Sequence, residues 1–200
     1  MRVAIGDFVS LDGVGQAPGG HGEDTEGGFT NGGWSMPFFN WETMGSAINE
    51  AMATTSALLF GRRTWQVMAA AWPARAGDPF ADRMNEIGKY VVSRILTLAD
   101  LSWGNSTLLP GDDLVGAVQR LLSQDGGDVQ VLGSLSLART LISNDLVDEY
   151  RLMIEPVILG GGKRLFPDDG RAHTLELVAA TVSKTGVHIC TYRPVRETGS

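Results

Sequence analysis

The run Val129-Gln130-Val131-Leu132-Gly133-Ser134, followed at once by Leu135, Ala138, Leu141 and Ile142 at helical spacing, constrains the fold of this chain more than any other stretch. A short β-branched run that stops at glycine and gives way to an amphipathic pattern is a strand, a tight turn and a helix. The first N–H groups of such a helix lack intrahelical partners and carry the positive end of its dipole, so the turn can seat a phosphate. Gly133 would let the backbone approach an anion, and Ser134 can cap the helix or bond a phosphate oxygen. An ordinary capped turn has the same sequence, so the motif gains meaning only from what accompanies it.

Two further strand ends carry related chemistry. Ala57-Leu58-Leu59-Phe60 runs into Gly61-Arg62-Arg63-Thr64-Trp65, where helix N–H groups and two guanidiniums can meet a second phosphate. The arginines can equally be solvated residues of a first turn, although a cation at a helix start opposes the dipole. Lys89-Tyr90-Val91-Val92 closes on Ser93-Arg94, a hydroxyl and a fork-shaped cation of the kind that holds a ribose 2′-phosphate. Ligands of open α/β sheets bind beyond the carboxyl ends of strands, where all three turns are expected. A dinucleotide with an additional 2′-phosphate would occupy them together, its pyrophosphate on the Gly133 and Gly61 turns and its 2′-phosphate on Arg94 with Arg62 or Arg63. No Gly-x-Gly-x-x-Gly follows the first strand, which excludes an ordinary Rossmann dinucleotide site.

The remaining segments supply the frame. Val3 to Val9 reads as a central strand ending at Ser10-Leu11-Asp12-Gly13. Positions 14–37 form a long glycine-rich loop, and loops of this length inside a domain are usually functional, so it is read as a lid or substrate loop. Its Trp34 can stack on a planar ligand or pin the loop to the core. Glu42 to Thr55 patterns as a helix, Trp72 to Asp82 as a loop with Pro73 and Pro79, and Ser106 to Leu109 as a short strand. Asp112 or Asp113 would cap a helix carrying Leu114, Val118, Leu121 and Leu122. Leu146 to Glu155 alternates, Pro156 to Leu159 continues it as an apolar run, and Gly160-Gly161-Gly162 stops that run. Leu175 to Lys184 and Val187 to Tyr192 read as a hairpin across Thr185-Gly186. Strands alternating with helices, then strands alone, predict a three-layer α/β domain over 1–195 with a short tail at 196–200.

Charge and composition narrow the partners. A formal net charge of -7 without clustered Lys and Arg argues against nucleic acid and against anionic membrane. The apolar opening run is broken by Asp7 and is no signal peptide, and no window approaches a membrane span, so a cytoplasmic protein is expected. The single cysteine, Cys190, cannot pair within the chain and reads as a buried thiol or a reactive one. His21, His173 and His188 are too scattered to argue a metal site.

Taken in order, Ser10-Leu11-Asp12-Gly13, Leu59 through Trp65, Tyr90 through Arg94, Val131 through Ser134, and Leu146-Val147-Asp148-Glu149 through Pro156–Phe166 resemble the dihydrofolate-reductase-like superfamily. The branch is that of the C-terminal reductase domain of the bifunctional deaminase-reductases of riboflavin biosynthesis. Gln16-Ala17-Pro18-Gly19-Gly20 with Gly32-Gly33-Trp34 resembles its stand-alone actinobacterial members. The resemblance implies a three-layer αβα fold with a mostly parallel sheet and antiparallel C-terminal strands. It further implies NADPH, hydride transfer to a small planar heterocycle, and often a homodimer. The implied activity is like that of 5-amino-6-(5-phosphoribosylamino)uracil reductase or of dihydrofolate reductase, and a non-catalytic nucleotide-binding module of the same fold is the alternative. Cofactor contacts are expected at Gly61, Arg62, Arg63, Thr64, Ser93, Arg94, Gly133, Ser134 and Leu135, and substrate contacts at Asp12 and Trp34. In that branch the Ser-Leu-Asp-Gly segment borders the substrate, which makes Asp12 the expected acid, although it can also cap its turn. Glu42 and Glu50, the acids of the helix after the long loop, stand in no clear match to the proton-donating carboxylate of dihydrofolate reductases.

Overall fold

Eight strands build one sheet in the computed structural model, which describes residues 1–196; the expected tail lies, beyond Arg196, outside the described residues. The strands are β1 (Arg2–Ser10), β2 (Thr55–Gly61), β3 (Gly88–Ser93), β4 (Ser106–Pro110), β5 (Asp128–Val131), β6 (Glu149–Glu155), β7 (Leu175–Val182) and β8 (His188–Pro194). Their order across the sheet is β4-β3-β2-β5-β1-β6-β8-β7. All pairings from β4 to β6 are parallel, and β8 pairs antiparallel with both β6 and β7. This is the mostly parallel sheet with antiparallel C-terminal strands that the sequence implies. The helices are α1 (Ser46–Thr54), α2 (Arg62–Ala71), α3 (Pro79–Glu86), α4 (Leu114–Leu122) and α5 (Leu135–Ser143).

Side-chain alternation along the strands makes the three layers. On β2, Leu58 and Phe60 face one side, where they pack with Met52 of α1, Trp65 of α2 and Met84 of α3. Ala57 and Leu59 face the other, against Val118 and Leu121 of α4 and Leu137 and Leu141 of α5. A strand buried on both faces must be apolar or internally paired at every position: Ala57 to Phe60 of β2 is a continuous apolar run, whereas β5 alternates and its buried Asp128 and Gln130 both accept from Arg151. Such burial contributes roughly 25 cal/mol per Å² of apolar surface removed from water.

Two segments depart from expectation. Trp72–Asp82 is not all loop: Asp78 caps α3 by accepting from the Ala81 N–H at 2.9 Å, and Pro79 occupies the first helical position. Proline there has no intrahelical donor to lose, so the residue read as a loop marker is a helix start. Pro156–Leu159 does not extend β6. The chain leaves the sheet at Glu155, and the Val157 carbonyl instead accepts from the Leu11 N–H at 2.8 Å.

The feature that positions the site is a split in the middle of the sheet. β1 pairs with β5 only as far as Ile5↔Val131, whereas its pairing with β6 runs on to Ser10↔Glu155. Beyond Val131 the chain follows β2 instead, with the Leu132 N–H donating to the Leu59 carbonyl and Gly61 N–H to the Gly133 carbonyl. From Gly6 onward one edge of β1 is therefore left without a neighbouring strand. Crevices of this kind beyond the carboxyl ends of parallel strands are the usual ligand sites of open α/β sheets.

Candidate active site

A cleft of about 2420 Å³ opens from this split. Pockets for one small ligand span roughly 300 to 1,000 Å³, so a dinucleotide and a second molecule fit together more naturally than one compact ligand alone. Its lining brings Gly6, Asp7 and Phe8 of β1 together with the starts of α2 and α5.

The two expected phosphate turns do converge. Arg62, Arg63, Thr64, Gly133, Ser134 and Leu135 all line the cleft. Ser134 is the N-cap of α5, its hydroxyl accepting from the Leu137 N–H at 3.5 Å. A side chain on Gly61 would collide with the Ser134 hydroxyl, so Gly61 is the residue that lets the two turns touch. Gly133 has φ +105°, a conformation that side chains disfavour, and the peptide after it is cis. With two helix starts side by side, their unpaired N–H groups lie at one end of the cleft.

The third turn stands apart. Ser93 and Arg94 do not line the cleft. The Ser93 hydroxyl accepts from the N–H groups of Ile95 and Leu96 at 3.1 and 2.9 Å, so it shapes its own turn. Arg94 reaches Asp112 at 3.1 Å, with the two side chains 72% and 88% exposed. Because Val92 is paired with Gly61, this turn still lies beside the α2 start.

Both expected substrate residues are redirected. Trp34 is only 7% exposed; it packs with Val14, Ala17 and Phe29, and its indole donates to the Gln16 carbonyl at 2.7 Å. It pins the long loop and presents no stacking face to the cleft. Trp41, which sequence reasoning passed over, is 81% exposed on the cleft wall and meets Phe39 edge-on at 4.9 Å. Asp12 lies outside the cleft lining. Its carboxylate accepts from the Ser10 hydroxyl at 2.7 Å and from the N–H groups of Leu159 and Gly160 at 3.1 and 2.9 Å. These bonds, led by Ser10, hold its pKa down to about 2. A carboxylate so stabilised ties two loops together and is not an acid at neutral pH. Glu42 pairs with Lys184 at 2.6 Å, and Glu50 accepts from Ser46 at 3.2 Å.

Of the acids that line the cleft, Asp7 is the one on the central strand. It sits on β1 at the start of the split, against Gly15 of the long loop, which in turn adjoins Leu135 of α5. Burial pushes its carboxyl up to about 8; the Phe8 N–H, donating at 2.9 Å, pulls the other way, and the charge of Glu23 adds to the rise. The signal in the sequence was a charged residue inside an otherwise apolar central strand, which was read only as the end of a hydrophobic run. Glu155 is the other raised carboxyl, pushed up to about 7 by burial against a 2.6 Å bond from the Ser35 hydroxyl, but it does not line the cleft.

The long loop is held closed over the cleft by charge. Lys163 reaches Asp24 and Glu26 at 2.6 and 2.7 Å, and Arg63 also pairs with Glu26. Within the triple glycine, Gly162 has φ +115° and passes so close to Phe29 and Val14 that a Cβ there would clash, which supports the structural reading of that turn.

Residues 3–189 match the RibD C-terminal domain family. The chain belongs to that family. It is 32% identical to YyaP of Bacillus subtilis (strain 168) over 135 residues, which are 65% of this chain and 69% of YyaP. Its structure is similar to that of a Shewanella sp. PV-4 protein assigned to riboflavin biosynthesis, at 20% identity and a TM-score of 0.74, covering 98% of this chain and all of that one. It is also similar to dihydrofolate reductase of Enterococcus faecalis solved with NADP(H), at 15% identity and a TM-score of 0.58, covering 96% of each chain. These likenesses make the fold dihydrofolate-reductase-like. No helix among the described residues is long and apolar enough to cross a membrane.

Proposed function

We propose that this RibD C-terminal domain protein is an NADPH-dependent reductase acting on a small planar heterocycle of pterin or ribosylated-pyrimidine type. The observation that carries the reading is the junction of two anion-seating helix starts, at Gly61 and Gly133, on a cleft that runs into the open edge of β1. The residues present fit the cofactor: glycine at 61 and 133 lets the two turns come together with the Ser134 and Thr64 side chains at their junction, and Arg62 and Arg63 bring positive charge to their rim. Bound there, NADPH supplies a hydride. The chain orients it through the α2 and α5 N–H groups, and the unpaired edge of β1 offers backbone groups to a planar ring. The 2′-phosphate is assigned to Arg94 and the neighbouring Arg62, because the exposed Arg94–Asp112 pair is weakly held and can exchange one anion for another. Phe39 and Trp41 provide an aromatic wall on which a heterocycle can stack.

The same proposal places the protein in the cytoplasm as a homodimer. Support for a second copy comes from β7, the outer strand of the sheet, which leaves Leu177, Val178 and Val182 exposed. Calorimetric titration with NADPH and then NADH tests the cofactor. NADPH should bind at least about tenfold more tightly, because only it carries the 2′-phosphate. Binding of neither would overturn the reductase reading in favour of a fold that has lost its cofactor.

A further inference from the structure

Reduction of a C=N bond needs a proton as well as a hydride, and the expected source, Asp12, is tied up outside the cleft. Among the acids lining the cleft, Glu23, Asp24, Glu26, Glu42 and Glu50 belong to the loop or to α1 and its approach, Asp78 caps α3, and several are spent on cations or backbone N–H groups. Asp7 differs in three respects. It stands on the central strand at the point where β1 and β5 part. It makes one hydrogen bond, from the adjacent Phe8 N–H, and no ion pair. Its carboxylate lies against Gly15 of the long loop, where the missing side chain leaves space on the cleft side.

We propose that Asp7 is the catalytic acid of this cleft, giving its proton to the nitrogen of a C=N bond in a planar heterocycle. The inference rests on the reductase reading and names the group that completes it. The acceptor carbon gains the hydride, the π pair of the C=N bond moves onto nitrogen, and that nitrogen takes the Asp7 proton. Both electrons come from the bound dinucleotide, and the carboxylate left behind is reprotonated by water. Glu23 is the charged group that faces Asp7 from the long loop, and it favours the neutral acid. Cations lining the cleft are otherwise engaged, Arg139 of α5 by the Arg164 carbonyl at 2.8 Å, Lys163 by Asp24 and Glu26, and Arg151 by Asp128 and Glu149. An acid in this state is protonated at neutral pH and can be spent once per turnover.

The test compares the wild type with Asp7→Asn. The acceptors are 6-methyl-7,8-dihydropterin, which needs a proton, and its cation methylated on the imine nitrogen, which does not. NADPH affinity should be the same in both proteins. Hydride transfer to the neutral acceptor should fall at least about a hundredfold in the variant, and the wild-type rate should decline as pH rises through about 8. The variant should recover on the methylated cation. Without any cofactor, the infrared absorption of protonated carboxyls at pH 7 should be weaker in the variant by the Asp7 contribution, with the Glu155 carboxyl contributing equally to both proteins. Unchanged reduction of the neutral acceptor, equal loss on both acceptors, weakened NADPH binding in the variant, or an unchanged infrared band would each overturn the role. A wild type that binds NADPH yet reduces neither acceptor also overturns it while leaving the cofactor site intact. Failure to bind NADPH would remove the reductase reading itself.

Discussion

Asp7→Asn should stabilise the protein, and by an amount that grows with pH. In the unfolded chain the carboxyl loses its proton near 3.8, whereas in the folded protein it keeps it up to about 8. Between those values the native state binds one proton more than the unfolded state, so stability falls as pH rises. The loss begins near pH 4 and levels off above about 8. Each unit of displacement is worth about 1.4 kcal/mol, so by pH 7 the full displacement would cost about 4 kcal/mol. Asp7 is only half-buried by surface area, and partial contact with water in the cleft lowers the figure to about 2 to 4 kcal/mol. Asparagine has nearly the same shape, can still accept from the Phe8 N–H, and has no proton to hold. Urea unfolding of both proteins at pH 4.5, 7 and 8.5 measures the difference, where pH values are chosen to bracket the displacement of roughly four units. The expected gain is small at the acid end and about 2 to 4 kcal/mol at neutrality, or about 5 to 15 °C in melting temperature for a chain of this size. A difference that does not vary with pH, or a variant less stable at pH 7, would refute the reasoning.

Two other perturbations separate the parts of the cleft. Arg94→Ala should weaken NADPH by about tenfold, near 1.5 kcal/mol, and leave NADH unaffected; calorimetry showing equal losses would move the 2′-phosphate elsewhere. Trp41→Ala should raise the KM for a heterocyclic substrate by roughly three- to tenfold through a lost stacking face of about 1 kcal/mol, with NADPH affinity and thermal stability near wild type because the ring is so exposed; a collapse of stability would make Trp41 a packing residue.

Much of the fold was legible because its signals are local. The apolar or valine-bearing runs of β1, β2, β3 and β5, the glycine–helix junctions at Gly61 and Gly133, and the hairpin of β7 and β8 follow from periodicity and turn chemistry alone. The two glycine turns that meet on the cleft were legible for the same reason, since a helix start is defined by the few residues around it. The substrate end was not. Which tryptophan faces the cleft depends on how 14–37 folds on itself, and Trp34 is claimed by Val14, Ala17 and Phe29 while Trp41 is left outside. Which aspartate can act as an acid depends on partners 147 and 148 residues away, the Leu159 and Gly160 N–H groups that bind Asp12. Asp7 stands inside the strand read over Val3 to Val9, and what the sequence does not show is that β5 parts from β1 after Ile5 and opens the cleft beside it.

The loop that covers the cleft is better viewed as a fixed wall than as a free lid. Glycine-rich sequence argues for mobility, yet 14–37 carries its own small apolar cluster and is sewn to the segment after the triple glycine. Val14 forms a bridge with Arg164, Gly15 N–H donates to the Lys163 carbonyl at 3.0 Å, and Lys163 N–H donates to the Gln16 side chain at 2.9 Å. These contacts set Gly15 over Asp7 and bring Glu26 to Arg63. A wall anchored at one side by backbone bonds and at the other by exposed ion pairs should yield on the ion-pair side, since such pairs hold at most about 1 kcal/mol each. That side is the one facing the phosphate turns. A phosphate arriving at Arg63 would compete with Glu26 for that guanidinium, while the Gly15–Lys163 backbone bond and the Gln16 bonds to the Asp24 and Glu26 carbonyls would keep the wall over Asp7 in place.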